Sequence, residues 1–461
     1  MGFMFLRRHF RSVAGVIAAA VTVVALLPFA GSRDVLAAGN IHAYNTSTYS
    51  ADKIRTVIEG TFDPVSVDQI LNKINAYRYE ACEQGIRDPR NPNRNLTLDD
   101  YVPIKWSYEL EQMAMLRAAE GSIVMDHVRP DGTRCWSARY GVGSNNEVLA
   151  WYGGLLSGIG GWYEEKEDWI NQTSGAVTGH YTAMIDPSNT YCGVSCFNGC
   201  AAGEFCGSRS DLNQSKIDVS QYSGQYTEVS ASYISSISFI GDSVCQYNGG
   251  TGKFFGTFDF SAVDYWGRSF TISGMKYVGG GTWTSSNPSA LTVAGDGTMT
   301  GGSMGLSTVT FTCGSLTYTK EVSVVNGAPM YRMYNEGNGE HLYTANAGER
   351  DYLVSVGWNY EGVGWIAPTT SDTPVYRLFN EGNGEHLYIA DQGEISFLVE
   401  QRGWNNEGTA FYSNGTSGVP VYRLFNPNEV TNNHHFTTDV GERDWLDSIG
   451  WNYEGVALYG A

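Results

Sequence analysis

Charge is scarce in this 461-residue chain: Asp, Glu, Lys and Arg together make up 17%, and 48 acidic against 29 basic residues leave a formal net charge of -19. No run of Lys or Arg occurs after the first eleven residues, which argues against a nucleic-acid partner, because phosphate backbones are held by clustered cations. A second apolar run long enough to cross a bilayer is missing too. So are the Gly-x-Ser-x-Gly and His-Glu-x-x-His patterns, and with them the signatures of a serine hydrolase elbow and of a helical zinc protease.

What is abundant is glycine (56) and tyrosine (29), within a hydrophobic fraction of 42%. That balance suits β-rich, turn-rich extracellular modules, and the length suits two to four of them. The start of the chain reads as an export signal: Arg7, Arg8 and Arg11, an apolar segment over 13–30, and small residues at Ala37 and Ala38 for cleavage. A retained anchor is the competing reading; after cleavage no span remains. Eight cysteines (Cys82, Cys135, Cys192, Cys196, Cys200, Cys206, Cys245, Cys313) fit paired thiols in an oxidising compartment, with Cys245–Cys313 one expected pair. Four of them, between 192 and 206, also have spacings that suit a zinc tetrahedron.

Apolar positions at helical spacing predict a helix over 66–84 (Val67, Ile70, Leu71, Ile74, Tyr77, Ala81) stopped by Gly85, and a second over 107–121. Four polar residues then stand out: His127, Glu147, Glu165 and His180. Asn75-Ala76-Tyr77-Arg78, Asn146-Glu147-Val148-Leu149, Trp162-Tyr163-x-Glu165 and Gly179-His180-Tyr181-Thr182 resemble the CAP superfamily of cysteine-rich secretory, antigen 5 and pathogenesis-related 1 proteins. The resemblance spans about 64–207. It departs where the family commonly has Gly-Glu-Asn-Leu and Gln-Val-Val-Trp, here Asn146-Glu147-Val148-Leu149 and Ala183-Met184-Ile185-Asp186. It implies an α/β/α sandwich with the four residues lining a cleft, and closing strands at 191–197 and 201–205.

Two imidazoles and two carboxylates could hold Zn²⁺ or another divalent cation, or could satisfy one another without metal. Glu147 and Glu165 are the catalytic candidates for acid-base work. Members of the resembled family are described as lipid or sterol binders, signalling ligands, toxin components and occasional proteases, so the resemblance leaves the activity open.

After a polar stretch read as a linker, alternating runs between 233 and 325 with turns every eight to twelve residues mark a β-sandwich. Trp283 plugs its core, and the segment 283–301 is similar to bacterial Ig-like group 2 modules. Three units with a period of about 45 residues follow, opened by Tyr331-Arg332, Tyr376-Arg377 and Tyr422-Arg423 and closed by Trp358, Trp404 and Trp451 in Gly-Trp-Asn-x-Glu-Gly. They resemble wall-associated repeats of exported bacterial proteins and suggest a pseudo-threefold, trefoil-like closed β domain. His341, Trp358, His386, Trp404, His435 and Trp451 are its candidate glycan-binding residues; the competing reading makes them core.

The expected architecture is multidomain α/β plus all-β: 1–38 signal peptide, 39–63 N-terminal extension, 64–212 CAP-like head, 213–230 linker, 231–326 Ig-like sandwich, 327–461 repeat domain. The expected function is that of a secreted protein whose cleft binds a divalent metal or a small ligand or lipid, and whose repeats attach to cell-wall or host glycans. The alternatives are a metal-dependent hydrolase of wall or extracellular polymers, and an adhesin with a structural head.

Overall fold

The computed structural model describes residues 40–43, 48–209, 212–428 and 433–461; the expected signal peptide lies outside them. Among the described residues no helix is long and apolar enough to cross a membrane.

The head begins with helix α1, Val67–Glu83, where Ser66 and Gln69 close a capping box that satisfies the first free backbone N–H groups. Helix α2, Tyr108–Ile123, starts at Ser107, whose side chain accepts from the Leu110 N–H. Between the helical layers lies a sheet of β3 (Lys105–Trp106), β4 (Asn146–Trp151), β5 (Tyr191–Phe197) and β6 (Cys200–Cys206), ordered β3-β5-β6-β4. Strands alternate side chains between faces, and the core follows that rule. Val148, Cys192, Val194 and Cys196 join α1, α3 (Leu155–Glu164) and α5 (Gly179–Ile185), while Leu149, Phe197, Cys200 and Ala202 face α2. The mixed α/β/α layering follows. A short α4, Lys166–Asn171, is set off from α3 by Glu165.

Helix α2 touches the sheet backbone itself. A Cβ on Gly193 would lie 2.0 Å from the Glu111 backbone nitrogen, so Gly193→Ala must push helix and strand apart. The expected cost is roughly 3 kcal/mol or more, read as a lower urea midpoint; an unchanged midpoint would contradict this packing.

None of the eight cysteines is bonded to another, and all are buried. Register explains why two expected arrangements fail. Cys192 and Cys196 point to one face of the hairpin and Cys200 and Cys206 to the other, so the four cannot close a zinc tetrahedron. Cys245 stands opposite Val324 and Cys313 opposite Leu316. Eight residues of strand, roughly 26 Å, separate those positions, far beyond disulfide reach.

The expected linker is in part a strand. Segment β7, Tyr222–Ser230, pairs parallel with β1 (Asn40–His42) and antiparallel with β2 (Lys53–Glu59), and β2 also pairs with Gly279–Gly280 of the next module. Its inward positions are polar, which hides it from hydrophobic periodicity. Gln225 bonds His42 at 2.7 Å and the Thr227 hydroxyl donates to Glu120 at 2.7 Å.

Next, two sheets enclose one apolar core. Ile234–Gly241, Thr251–Val263, Thr298–Gly301 and Leu291–Val293, with Ser269–Lys276 beside Thr251–Val263, form the first; Val244–Gln246, Leu316–Val325, Gly305–Cys313 and Thr282–Ser285 form the second. Trp283 sits in that core as expected, stacked on Phe254 at 4.9 Å with its N–H donating to the Tyr277 hydroxyl. This module is tied to the repeats by Arg350, 1% exposed, whose Nη1 donates to Asp242 at 2.7 Å.

Each of the three repeats is a separate three-stranded antiparallel sheet with its own helix (Ala347–Ser355, Gln392–Arg402, Val440–Ser448). The closed pseudo-threefold arrangement is visible in its centre. Tyr343, Tyr388 and Phe436, at equivalent positions, form a triangle with ring centroids 5.7, 5.7 and 5.8 Å apart. Three blades, each complete in itself, replace the trefoil-like expectation, in which all strands would share one barrel and its hairpin cap.

Candidate functional site

Arg117 projects from the inward face of α2 with no exposed surface and is bonded through all three guanidinium nitrogens. Its Nε donates to Glu147 Oε2 at 2.6 Å, Nη1 to Glu120 Oε2 at 2.6 Å, and Nη2 to the Asp126 carbonyl at 2.6 Å. Arg129 donates to both Glu120 oxygens. Two guanidinium groups thus face two carboxylates, and burial is tolerable because each charge is matched. Glu204, opposite Glu147 across the β4–β6 pairing, is pushed well up by burial and by the Glu147 charge, so it carries a proton.

The network orients one imidazole. His127 Nδ1 lies 2.7 Å from Glu147 Oε1. An ionised carboxylate only accepts, so Nδ1 carries the hydrogen, and in the neutral ring Nε2 presents a lone pair. Burial alone would raise the Glu147 carboxyl, but the Arg117 charge and the His127 bond bring it down to about 2.

A second pair repeats the design. Glu165, at the joint between α3 and α4, accepts from His180 Nδ1 at 2.5 Å with Oε1, and from the backbone N–H groups of His180 and Tyr181 at 2.9 and 3.1 Å with Oε2. Both rings are part-exposed, and neither Nε2 has a protein partner among the described residues. The structure therefore joins the four expected residues as two His–Glu pairs.

The residues fit a four-ligand metal centre poorly. Among the described residues the group of ligand-type atoms lying within 4.8 Å of one another is His127, Cys135 and Glu147. Both Glu147 oxygens are engaged by Arg117 and His127, and the adjoining guanidinium opposes a cation. Burial and the Glu147 charge push the Cys135 thiol up to about 12, leaving it protonated at neutral pH. Glu165 is likewise spent on His180 and backbone. Both carboxylates position imidazoles, and Glu147, held as an anion by Arg117, makes a weak base for acid-base chemistry.

The wall of the site is partly borrowed. The hairpin tip at 264–268 of the second module leans on the head, with the Tyr265 N–H donating to the Met125 carbonyl at 2.9 Å and the Tyr265 ring edge-on to His127 at 6.4 Å. Tyr265, Trp266 and Trp136 are each more than half exposed. Sequence reasoning missed this rim and the Arg117 network. The signals were an arginine on the apolar face of α2 and two adjacent aromatics in a turn.

In the repeats, His341, His386 and His434 are the equivalent set, opposite Tyr334, Phe379 and Phe425. His435 falls where the other repeats have Leu342 and Leu387, and at 3% exposure it faces the core, so it does not belong with His341 and His386. Trp358 is half-buried against its own blade's apolar cluster, Trp404 against the core shared by the three repeats, and Trp451 packs edge-on to His435 at 6.2 Å. The competing core reading fits these tryptophans better than glycan stacking.

Comparison with known proteins places this geometry. Residues 71–208 match the sequence model of the cysteine-rich secretory protein family (CAP), and residues 329–461 match a domain of unknown function, DUF5648. Among curated proteins none matches. Domains 5–6 of the S-layer protein SbsC match among solved structures at 16% identity, over 34% of this chain and 82% of that one; with a TM-score of 0.17 that likeness carries no argument.

Proposed function

Starting from a CAP-family domain at residues 71–208, we propose that the protein is an exported binding protein whose head captures a small ligand or lipid and whose repeats attach it to cell-wall or host glycans. The observation that carries the reading is the pair of carboxylate-held imidazoles, each with Nε2 open to a ligand, the His127 ring edge-on to the exposed Tyr265. A ligand hydroxyl donates to such a nitrogen while its apolar face lies against Tyr265 and Trp136. Export rests on the N-terminal signal and on the CAP match, and the middle module serves as an Ig-like spacer. Metal-dependent hydrolysis is the lesser reading, because the carboxylates it needs are committed elsewhere.

The test is equilibrium binding of a fluorescent long-chain fatty alcohol, and separately of Zn²⁺, to the wild-type protein and to His180→Ala and Glu165→Ala. The expected result is saturable fatty-alcohol binding weakened by roughly tenfold in each variant, about 1.4 kcal/mol, with no stoichiometric zinc. Stoichiometric zinc lost in both variants, together with zinc-dependent turnover of a wall preparation, would replace capture by hydrolysis.

A further inference from the structure

Consecutive repeats meet at seams, and each seam is built from the same three charged residues. Arg332 of the first repeat is bonded through Nε to Glu361 of its own blade and through Nη1 to Glu442 of the third. Arg377 is bonded to Glu407 of its own blade and to Glu349 of the first, and Arg423 to Glu454 of its own and to Glu394 of the second. The ring of cross-blade pairs closes on itself. In all three, Nη2 is left without a protein partner among the described residues.

Two of these seams open as clefts, of about 390 Å³ beside Arg332 and about 460 Å³ beside Arg377. Equivalent residues line them: Thr437 and Asp439 in one, Thr344 and Asn346 in the other. The first has a further unmet group. His435 is buried, and its Nε2 has no aligned hydrogen bond although Glu442 Oε1 lies 3.4 Å away. At the third seam Ile389 stands where the others have a threonine, so it offers one hydroxyl fewer.

We propose that these seams are saccharide-binding sites, each reading a neutral vicinal diol through a guanidinium Nη2 flanked by two carboxylates. The inference rests on the attachment reading above and names its site and ligand class. A diol matches the lining atom by atom: its oxygens accept from Nη2, and its hydroxyl hydrogens donate to carboxylate and threonine oxygens. An ammonium group has nothing to accept from Nη2. An anionic sugar meets at least two carboxylates for one guanidinium, on a chain of net charge -19. The seams at Arg332 and Arg377 carry most of the binding, and none of the repeated tryptophans lines either cleft.

The experiment uses the full exported chain with cellohexaose as neutral probe, a galacturonate hexamer with the same 2,3-diols as anionic probe, and a neutral β-1,4-mannan as polymer. Thr438→Trp with Thr409→Trp fills both clefts and leaves every Arg–Glu pair intact. Arg332→Lys with Arg377→Lys keeps the charge and removes the Nη2 donors. The expected result is binding of cellohexaose and mannan by wild type, at least roughly tenfold weaker in both double variants, with unchanged melting temperature in the filled variant and no binding of the galacturonate. Wild-type affinity in the filled variant overturns the seams as the site and leaves glycan attachment standing. Preference for the anionic hexamer overturns the ligand class. Failure of wild type to bind either cellohexaose or mannan removes the attachment reading along with the seams.

Discussion

Arg117→Met is expected to destabilise the head by roughly 3–5 kcal/mol, the range for removing one partner from a buried ion network. The guanidinium has no exposed surface and is the shared partner of Glu120 and Glu147, neither more than 3% exposed. Without it, Glu147 faces the protonated Glu204 with only His127 beside it, and Glu120 retains Arg129 and Thr227. Urea unfolding reads the loss directly. Adding Glu147→Gln to Arg117→Met restores a part of it, because the uncompensated charge goes while the shape stays. A double variant no better than the single one would mean that packing, and not charge matching, sets the effect.

The second large effect is a fall in stability as pH rises from about 4.5 to about 7, to which Glu111 contributes beside the protonated Glu204. Burial pushes this carboxyl up to about 7 from its ordinary 4.5, only partly opposed by the Trp106 indole and the Ile217 backbone N–H. A carboxyl whose value is raised by folding contributes stability that is fully present below about 4.5 and lost as pH climbs through about 7. For Glu111 the loss is roughly 3 kcal/mol. Asp242, raised by burial to about 6 against the opposing Arg350 charge, acts in the same direction. Glu147 acts in the opposite one: held at about 2, it gives stability present above 4.5 and lost only as pH falls towards 2. Unfolding of wild type and Glu111→Gln at both ends of the range separates these contributions. The variant should lose the Glu111 share of the slope, and an unaltered slope would remove Glu111 from the account.

Local signals carried the head helices. Ser66, Gln69 and the apolar positions of α1 announce a capped amphipathic helix, and Ser107 does the same for α2, because capping chemistry is written in adjacent residues. The His–Glu pairs were legible as residue types, and their tautomers only as structure. Polar side chains that find buried partners were not legible. Gln225 and Thr227 mimic a linker because their partners, His42 and Glu120, lie more than a hundred residues away. Cysteine spacing misled for a related reason, since strand register decides which thiols share a face. In the third repeat the adjacent histidines invite the wrong choice, and pairing of His434 with Phe425 settles it.

The most direct test is an imidazole nitrogen NMR spectrum of the uniformly labelled protein at about pH 8, with His127→Gln and His180→Gln supplying assignments. Both rings should carry hydrogen on Nδ1 and a bare Nε2, and both Nε2 signals should move together when a long-chain fatty alcohol is titrated. Hydrogen on Nε2 in either ring, or a ligand response confined to one of them, would contradict a shared capture site.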